Sequence, residues 1–333
     1  MDPFISVVIT AHNRKKYLLN AVKSVLNQDS SRSYYEIIVI KNFTDEVIDT
    51  FLKRERVTCF YTDEQSFGAK LAIGIDNSKG EVISFLDDDD EFSFNKISGL
   101  IEVFKDKNII YHHSSISAID ELGNEYVKGL STNIPKTVIK KYFDSGDFKL
   151  VMKYKLDWYM SAISCRASLL RSNLCVIRRS FASLDKITFL LSVESGGSLY
   201  FDSRHLTRYR VHESLTTRFT NRNDFLRARN EFYLRSLKSL QGVLYYFNNH
   251  VTKYLIEWEI THGKLLVYFF SDDVDDMVHT SSLIKYAILS LFKRLNVITY
   301  WSLLDIIRKV VPDIIRSSFY KKSTRKFNDF IPQ

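Results

Sequence analysis

The chain has 333 residues, 45% of them apolar, with only 11 glycines and 4 prolines, so intrinsic disorder is excluded as its default state. That length suits one large domain with a smaller appendage, because single cores stop growing near ~250–300 residues. The formal net charge of +8 admits nucleic acid, anionic lipid or phosphorylated ligands, and charge alone does not choose among them.

The opening MDPFISVVIT lacks a basic leader segment, so it does not read as a signal peptide. Residues 5–10 (ISVVIT) form a β-branched run that ends at Ala11-His12-Asn13-Arg14, the pattern of a buried strand opening onto a loop. Tyr17, Leu18, Ala21, Val22, Val25 and Leu26 recur at helical spacing, and residues 36–40 (EIIVI) give a second strand. Strand, helix, strand in that order predicts a βαβ unit and a parallel sheet.

Residues 57–61 (VTCFY) predict a further strand, and residues 68–77 a helix that Gly80 ends. Residues 81–86 (EVISFL) then form a strand that runs straight into Asp87-Asp88-Asp89-Asp90-Glu91. Strands are expected again at 109–112 and 198–201, with a helix at 186–193. Beyond about Thr216 the chain reads as helical, with apolar stripes across 283–295 and 303–311. The expected division is therefore 1–215, an α/β domain, and 216–333, a helical region.

Cys59, Cys165 and Cys175 are odd in number and lack C-x-x-C spacing, which argues for a reducing compartment over a disulfide framework or zinc site. No stretch has the ~18 uninterrupted apolar residues of a spanning helix. The expectation is a cytoplasmic chain that either is soluble or lies on the cytoplasmic face of a membrane.

Four consecutive aspartates repel unless something neutralises them. Hard carboxylate oxygens suit Mg2+ or Mn2+, which keep positions open for substrate phosphates. In open α/β sheets, ligands sit outside the carboxyl ends of the strands, where this cluster falls. The alternative is a solvated acidic turn capping a helix that begins near Phe94. A second acidic group, Asp272, Asp273, Asp275 and Asp276, follows no buried strand and reads as a solvated loop.

Three stretches, SVVITAHNRKKYLLNAVKSVLNQ, EIIVI and GIDNSKGEVISFLDDDDEF, resemble glycosyltransferase family 2, whose fold is the GT-A fold. The likeness is good over residues 4–98, patchy to about 215 and absent beyond. It implies an inverting, metal-dependent glycosyltransferase with a mixed, mainly parallel sheet flanked by helices. By that resemblance Asp87 lies near the donor's ribose and Asp89 binds the metal that bridges the diphosphate. Asp88 and Asp90 orient the loop or the donor sugar. Thr10, Ala11, His12, Asn13, Arg14, Asn42 and Lys70 take donor-binding positions.

The family offers a catalytic base as the second acid of a Glu-Asp pair before a helix. Asp185 matches that acid, with Leu184 in place of the first. Read on position alone, Asp185 is either this base or a residue of a helix start. Tyr209-Arg210-Val211-His212-Glu213-Ser214 resembles the family's Y-R-x-H-x-x-S ending. It implies Arg210 on the diphosphate and His212 as a metal ligand or phosphate contact; a packed histidine is the alternative.

Lys41 and Asn42 stand where the family has acids that bind the nucleoside, Lys70-Leu71-Ala72 replaces its Ala-Arg-Asn, and His12 its aromatic. The resemblance implies a nucleotide-sugar donor, UDP-linked or GDP-linked, and a glycan or lipid-linked acceptor, with no nucleic acid. Two other readings stay open: a metal-dependent nucleotidyltransferase, and an inactive binding module. Residues 307–327 hold seven cations against Asp313, interleaved with apolar residues, and predict a helix that either contacts a membrane interface or packs on the catalytic domain.

Overall fold

The computed structural model describes residues 2–125, 131–140, 144–212 and 221–270. β1 (Ile5–Ala11) is buried along its whole length, as expected of a central strand covered on both faces. In α1 (Leu18–Leu26), Leu18, Ala21, Val22 and Val25 form the buried stripe. β2 (Tyr35–Lys41) follows, then α2 (Glu46–Arg54), which Asp45 caps by accepting from the Ile48 N–H at 3.1 Å. Next come β3 (Thr58–Tyr61), α3 (Phe67–Asp76) and β4 (Val82–Asp87). Gly68 lets α3 approach its neighbour closely, since a Cβ there would sit 1.9 Å from the Ser180 carbonyl oxygen.

The chain continues through β5 (Glu91–Phe92), α4 (Lys96–Phe104), β6 (Ile109–Ile119) and β7 (Thr137–Ile139). Then come α5 (Ser145–Tyr154), β8 (Ile163–Arg166), α6 (Ala167–Ser172), α7 (Leu174–Arg179), α8 (Leu184–Ser195) and β9 (Ser198–Arg210). Among the described residues these strands form one nine-stranded sheet in the order β3-β2-β1-β4-β8-β6-β9-β5, with β7 paired to β9. β1 pairs in parallel with β2 and β4, and β2 with β3. β8 runs antiparallel to β4 and β6, while β6 and β9 are parallel.

From β1 the chain moves first to β2 and β3 on one side, and then returns to β4 on the other. The carboxyl ends of β1 and β4 therefore flank a topological switch point, where open α/β sheets leave a ligand crevice. The sheet is mixed and flanked by helices, as expected.

Three details depart from the sequence expectations. α2 was not anticipated, because Ile48 and Leu52 are its only buried residues. α3 ends at Asp76 with Asn77 as its cap, three residues short of Gly80. β6 and β9 extend well past residues 112 and 201, carried by polar positions such as Ser114, Ser115 and Thr207 that are buried between strands.

Contacts divide the chain into two units, 1–211 with 245–252, and 212–244 with 253–333. The second contains α9 (Arg222–Val243) and most of α10 (His250–Phe270), where Phe225, Leu226, Leu266 and Phe270 make a small core. Among the described residues, no helix is long and apolar enough to cross a membrane. The stripes at 283–295 and 303–311, the acidic group at 272–276 and the basic segment 307–327 lie outside the described residues.

Candidate active site

The carboxyl end of β4 turns tightly, with the Asp90 N–H donating to the Asp87 carbonyl at 3.2 Å. This turn brings one carboxylate oxygen each of Asp87, Asp89 and Asp90 within 4.8 Å of one another. Asp88 and Asp90 are buried, 2% and 3% exposed. Buried carboxylates at such spacing hold their protons more tightly than usual. Burial, with the charges of Asp89 and Asp88, pushes the Asp87 carboxyl well above the ordinary range, against the pull of Arg14. Burial likewise raises Asp88 to about 7, and burial with Asp89 and Asp87 raises Asp90 well above its ordinary value.

The loop after β1 faces this turn. Thr10 lies beside Asp87 in the parallel register. Arg14 Nη1 donates to Asp89 Oδ2 at 2.5 Å, and Nη2 pairs with Asp88 Oδ1. The other Asp88 oxygen, Oδ2, is buried without a hydrogen-bond partner. Asn13, in the left-handed region at φ 55°, donates its N–H to Asn42 Oδ1, and Asn42 Nδ2 donates to Asn13 Oδ1, both at 2.9 Å. Backbone strain held by such a reciprocal pair is the kind found at binding loops.

His12 Nδ1 and Lys70 Nζ lie 2.7 Å apart. Burial, Lys70 and Arg14 all hold His12 below its ordinary value, so its neutral ring accepts from the ammonium. Lys41, which stands where the resembled family has an acid, is buried and pairs with Asp49 at 2.8 Å. Thr10, His12, Asn13, Arg14, Asn42 and Lys70 thus gather at the ends of β1 and β2 and the near end of α3, with Ala11 buried as the last residue of β1.

Arg210 takes a different part from the one expected. It is 3% exposed, and its backbone N–H donates to Asp90 Oδ1 at 2.9 Å. Its Nε donates to the Asp89 carbonyl at 2.8 Å, Nη1 to the Asp120 carbonyl at 2.8 Å, and Nη2 pairs with Glu91. These contacts fix the acidic turn from behind and engage all three guanidinium nitrogens with protein groups.

Sequence reasoning missed Ser161. Its Oγ accepts from the Asp87 N–H at 3.0 Å and donates to Asp90 Oδ2 at 2.6 Å, so one hydroxyl ties together both ends of the turn. A lone serine 71 positions from its partner carries no local signal. Also unanticipated was Tyr159, at φ 64°, whose ring meets Tyr209 edge-on at 5.2 Å.

Asp185 lies in the first turn of α8, after Ser183 at φ 54°. Its Oδ1 accepts from the Lys186 N–H at 2.9 Å. Burial raises its carboxyl to about 6, against that hydrogen bond, with Asp157 adding to the push. Its charge in turn raises Asp87 and Tyr159, so it shares their electrostatic neighbourhood. A carboxyl raised to about 6 remains mostly ionised at neutral pH. His212, half-buried, lies two residues past the end of β9 and opens the second unit; the clustered carboxylates are Asp87, Asp89 and Asp90.

The donor set fits a hard divalent cation: three carboxylates converge, a buried fourth has an unpartnered oxygen, and all lie at the sheet's switch point. The family model "Glycosyl transferase family 2" matches residues 6–172, from β1 through α6. The chain belongs to glycosyltransferase family 2.

An uncharacterized glycosyltransferase of Rickettsia bellii is 31% identical over 135 residues, covering 39% of this chain and 19% of that protein. The chain thus spans about a fifth of that relative. The uncharacterized glycosyltransferase RT0329 of Rickettsia typhi is 24% identical over 314 residues, 86% of this chain and 93% of that one. In fold, the chain is similar to S. aureus TarS 1-349 solved in complex with UDP-GlcNAc. The TM-score is 0.56 at 11% identity, covering 97% of this chain and 92% of that one. The GT-A architecture expected from the sequence is the architecture observed.

Proposed function

We propose that the chain is an inverting, metal-dependent glycosyltransferase that moves a sugar from a nucleoside diphosphate to an acceptor hydroxyl. The observation that carries this reading is the convergence of Asp87, Asp89 and Asp90 beside the β1 loop, within the electrostatic reach of Asp185. Asp89, with Asp87 or Asp90, would hold Mg2+ or Mn2+. Such an ion, when bound, offsets the charge of the donor's diphosphate.

The chain's own groups carry the remaining steps. Asp185 accepts the proton of the acceptor hydroxyl as that oxygen attacks the anomeric carbon. The bond from that carbon to the diphosphate oxygen breaks on the opposite face, its electron pair leaves with the nucleoside diphosphate, and the anomeric configuration inverts. Arg14, released from Asp88 and Asp89, is a cation at the acidic turn that would meet phosphate oxygens. Lys70 and His12 line the same side and offer further polar contacts. The likeness to a protein solved with UDP-GlcNAc supports a UDP-sugar donor. A glycan acceptor accords with the family; peripheral membrane contact rests on the basic segment 307–327 alone.

The test is to incubate the protein with a panel of UDP- and GDP-sugars and Mn2+ and to measure released nucleoside diphosphate. Release that disappears in Asp89→Ala and under chelation is expected. Pyrophosphate formed from a nucleoside triphosphate would replace this reading with nucleotidyl transfer. No turnover of any donor, with no metal-dependent nucleotide binding, would leave a binding module.

A further inference from the structure

A second concavity lies between α1 and the β5–β9 edge of the sheet, with a volume of about 630 Å³. That is within the ~300–1,000 Å³ of small-molecule sites. Asn20, Asn27, Ser117 and His205 line it, and Phe94 stands on its rim at 69% exposure. Among the described residues, the side chains of Asn20, Asn27, Ser117 and His205 have no hydrogen-bond partner. Each is at least partly exposed, so each offers its polar atoms to a ligand.

The charges of the lining balance. Lys23 and Arg208 are set against Glu91 and Glu125, and Arg208 is already engaged, with Nη1 on Glu91 Oε2 and Nη2 on the Gly123 carbonyl, both at 2.5 Å. A phosphate-rich ligand would meet no net attraction here. The combination of amides, a hydroxyl, an imidazole and an accessible aromatic face is complementary to a sugar ring. Such a ring presents hydroxyl edges that donate and accept, and an apolar C–H face that packs on an aromatic.

The cleft is also joined to the candidate active site. Glu91 lies on its wall and directly follows Asp90. Its other carboxylate oxygen pairs with Arg210, whose N–H holds Asp90. The wall of the cleft is therefore tied to the acidic turn through Glu91 and Arg210. We propose that this cleft binds a neutral oligosaccharide, the part of the acceptor glycan remote from the reacting hydroxyl. Its role as an acceptor subsite rests on the proposed transferase function; the binding of a neutral glycan does not.

The test measures binding of cellotetraose, chitotetraose, maltotetraose and laminaritetraose by calorimetry and saturation-transfer NMR, without donor or metal. At least one should bind the wild type, and Phe94→Ala and Asn20→Ala should each weaken it, Phe94→Ala by about tenfold. Phe94 is exposed and alanine favours the helix at position 20, so neither change threatens the fold. Asp89→Asn should bind the glycan like the wild type. The proposal is overturned if none of the four binds, or if binding survives both cleft substitutions, or if only Asp89→Asn abolishes it. Glycan binding without any donor turnover would instead remove the transferase reading, and with it the acceptor role, and leave a cleft that binds neutral glycan.

Discussion

Arg14 and Asp89 form an ion pair at 2.5 Å across 75 positions of sequence, and the same guanidinium holds Asp88. The chain thus carries its own neutraliser for the acidic turn. A divalent ion that takes Asp89 must displace an arginine whose side chain is 51% exposed, and exposure keeps that competition modest.

Arg14→Gln removes the competitor, so Mn2+ should bind about five- to tenfold more tightly by calorimetry in the absence of donor. The same variant should raise the KM for the nucleotide sugar, because the freed guanidinium is proposed to meet the donor's phosphates. Unchanged Mn2+ affinity would show that Arg14 and the metal do not share these carboxylates.

Asp185 should set the acid limb of the pH profile. Its carboxyl is raised to about 6, and a base must be ionised to accept a proton. Transfer should therefore fall as pH drops through about 6, higher than an ordinary aspartate would give. Asp185→Asn should lower kcat by ~10²–10⁴-fold while leaving donor binding in place. A variant that keeps kcat within severalfold of wild type would assign Asp185 to the start of α8 alone.

How far these roles were legible in the sequence depends on how local their signals are. β1 and β4 were readable because strands buried on both faces show as unbroken apolar runs, and the aspartates follow β4 without a gap. α2 escaped notice because two buried side chains among charges leave almost no stripe; its one clear mark is the Asp45 cap. His12, Asn13, Arg14, Asn42 and Lys70, proposed for the donor side, came from resemblance, and their pairings with one another had no signature. Arg210 read as a phosphate ligand, yet burial beside Glu91 turned its donors inward. Ser161 bonds across 71 positions, a distance at which only the folded sheet brings the partners together.

Lys96 exposes a cost of the polar core. Its ammonium is fully buried, with Ser114 Oγ and the Ala162 carbonyl at 3.4 Å and Thr207 Oγ1 at 3.5 Å. Burial lowers it to about 7. An unfolded lysine titrates near ~10.4, so between about 7 and that value the unfolded chain binds a proton that the folded one does not, and stability gains with rising pH. Lys96→Met should stabilise the protein at pH 7 and flatten this slope, so the two denaturation midpoints should converge from pH 7 to 9. Parallel midpoints across that range would mean the buried amine does not titrate there.

The most direct measurement is calorimetric binding of UDP to the wild type and to Asp89→Asn, each with Mn2+ and with chelator. Mn2+ should strengthen UDP binding to the wild type many-fold and should add nothing in Asp89→Asn. Equal UDP affinity with and without the ion, or a full Mn2+ effect that survives in Asp89→Asn, would contradict a divalent cation held by these carboxylates against the donor's diphosphate.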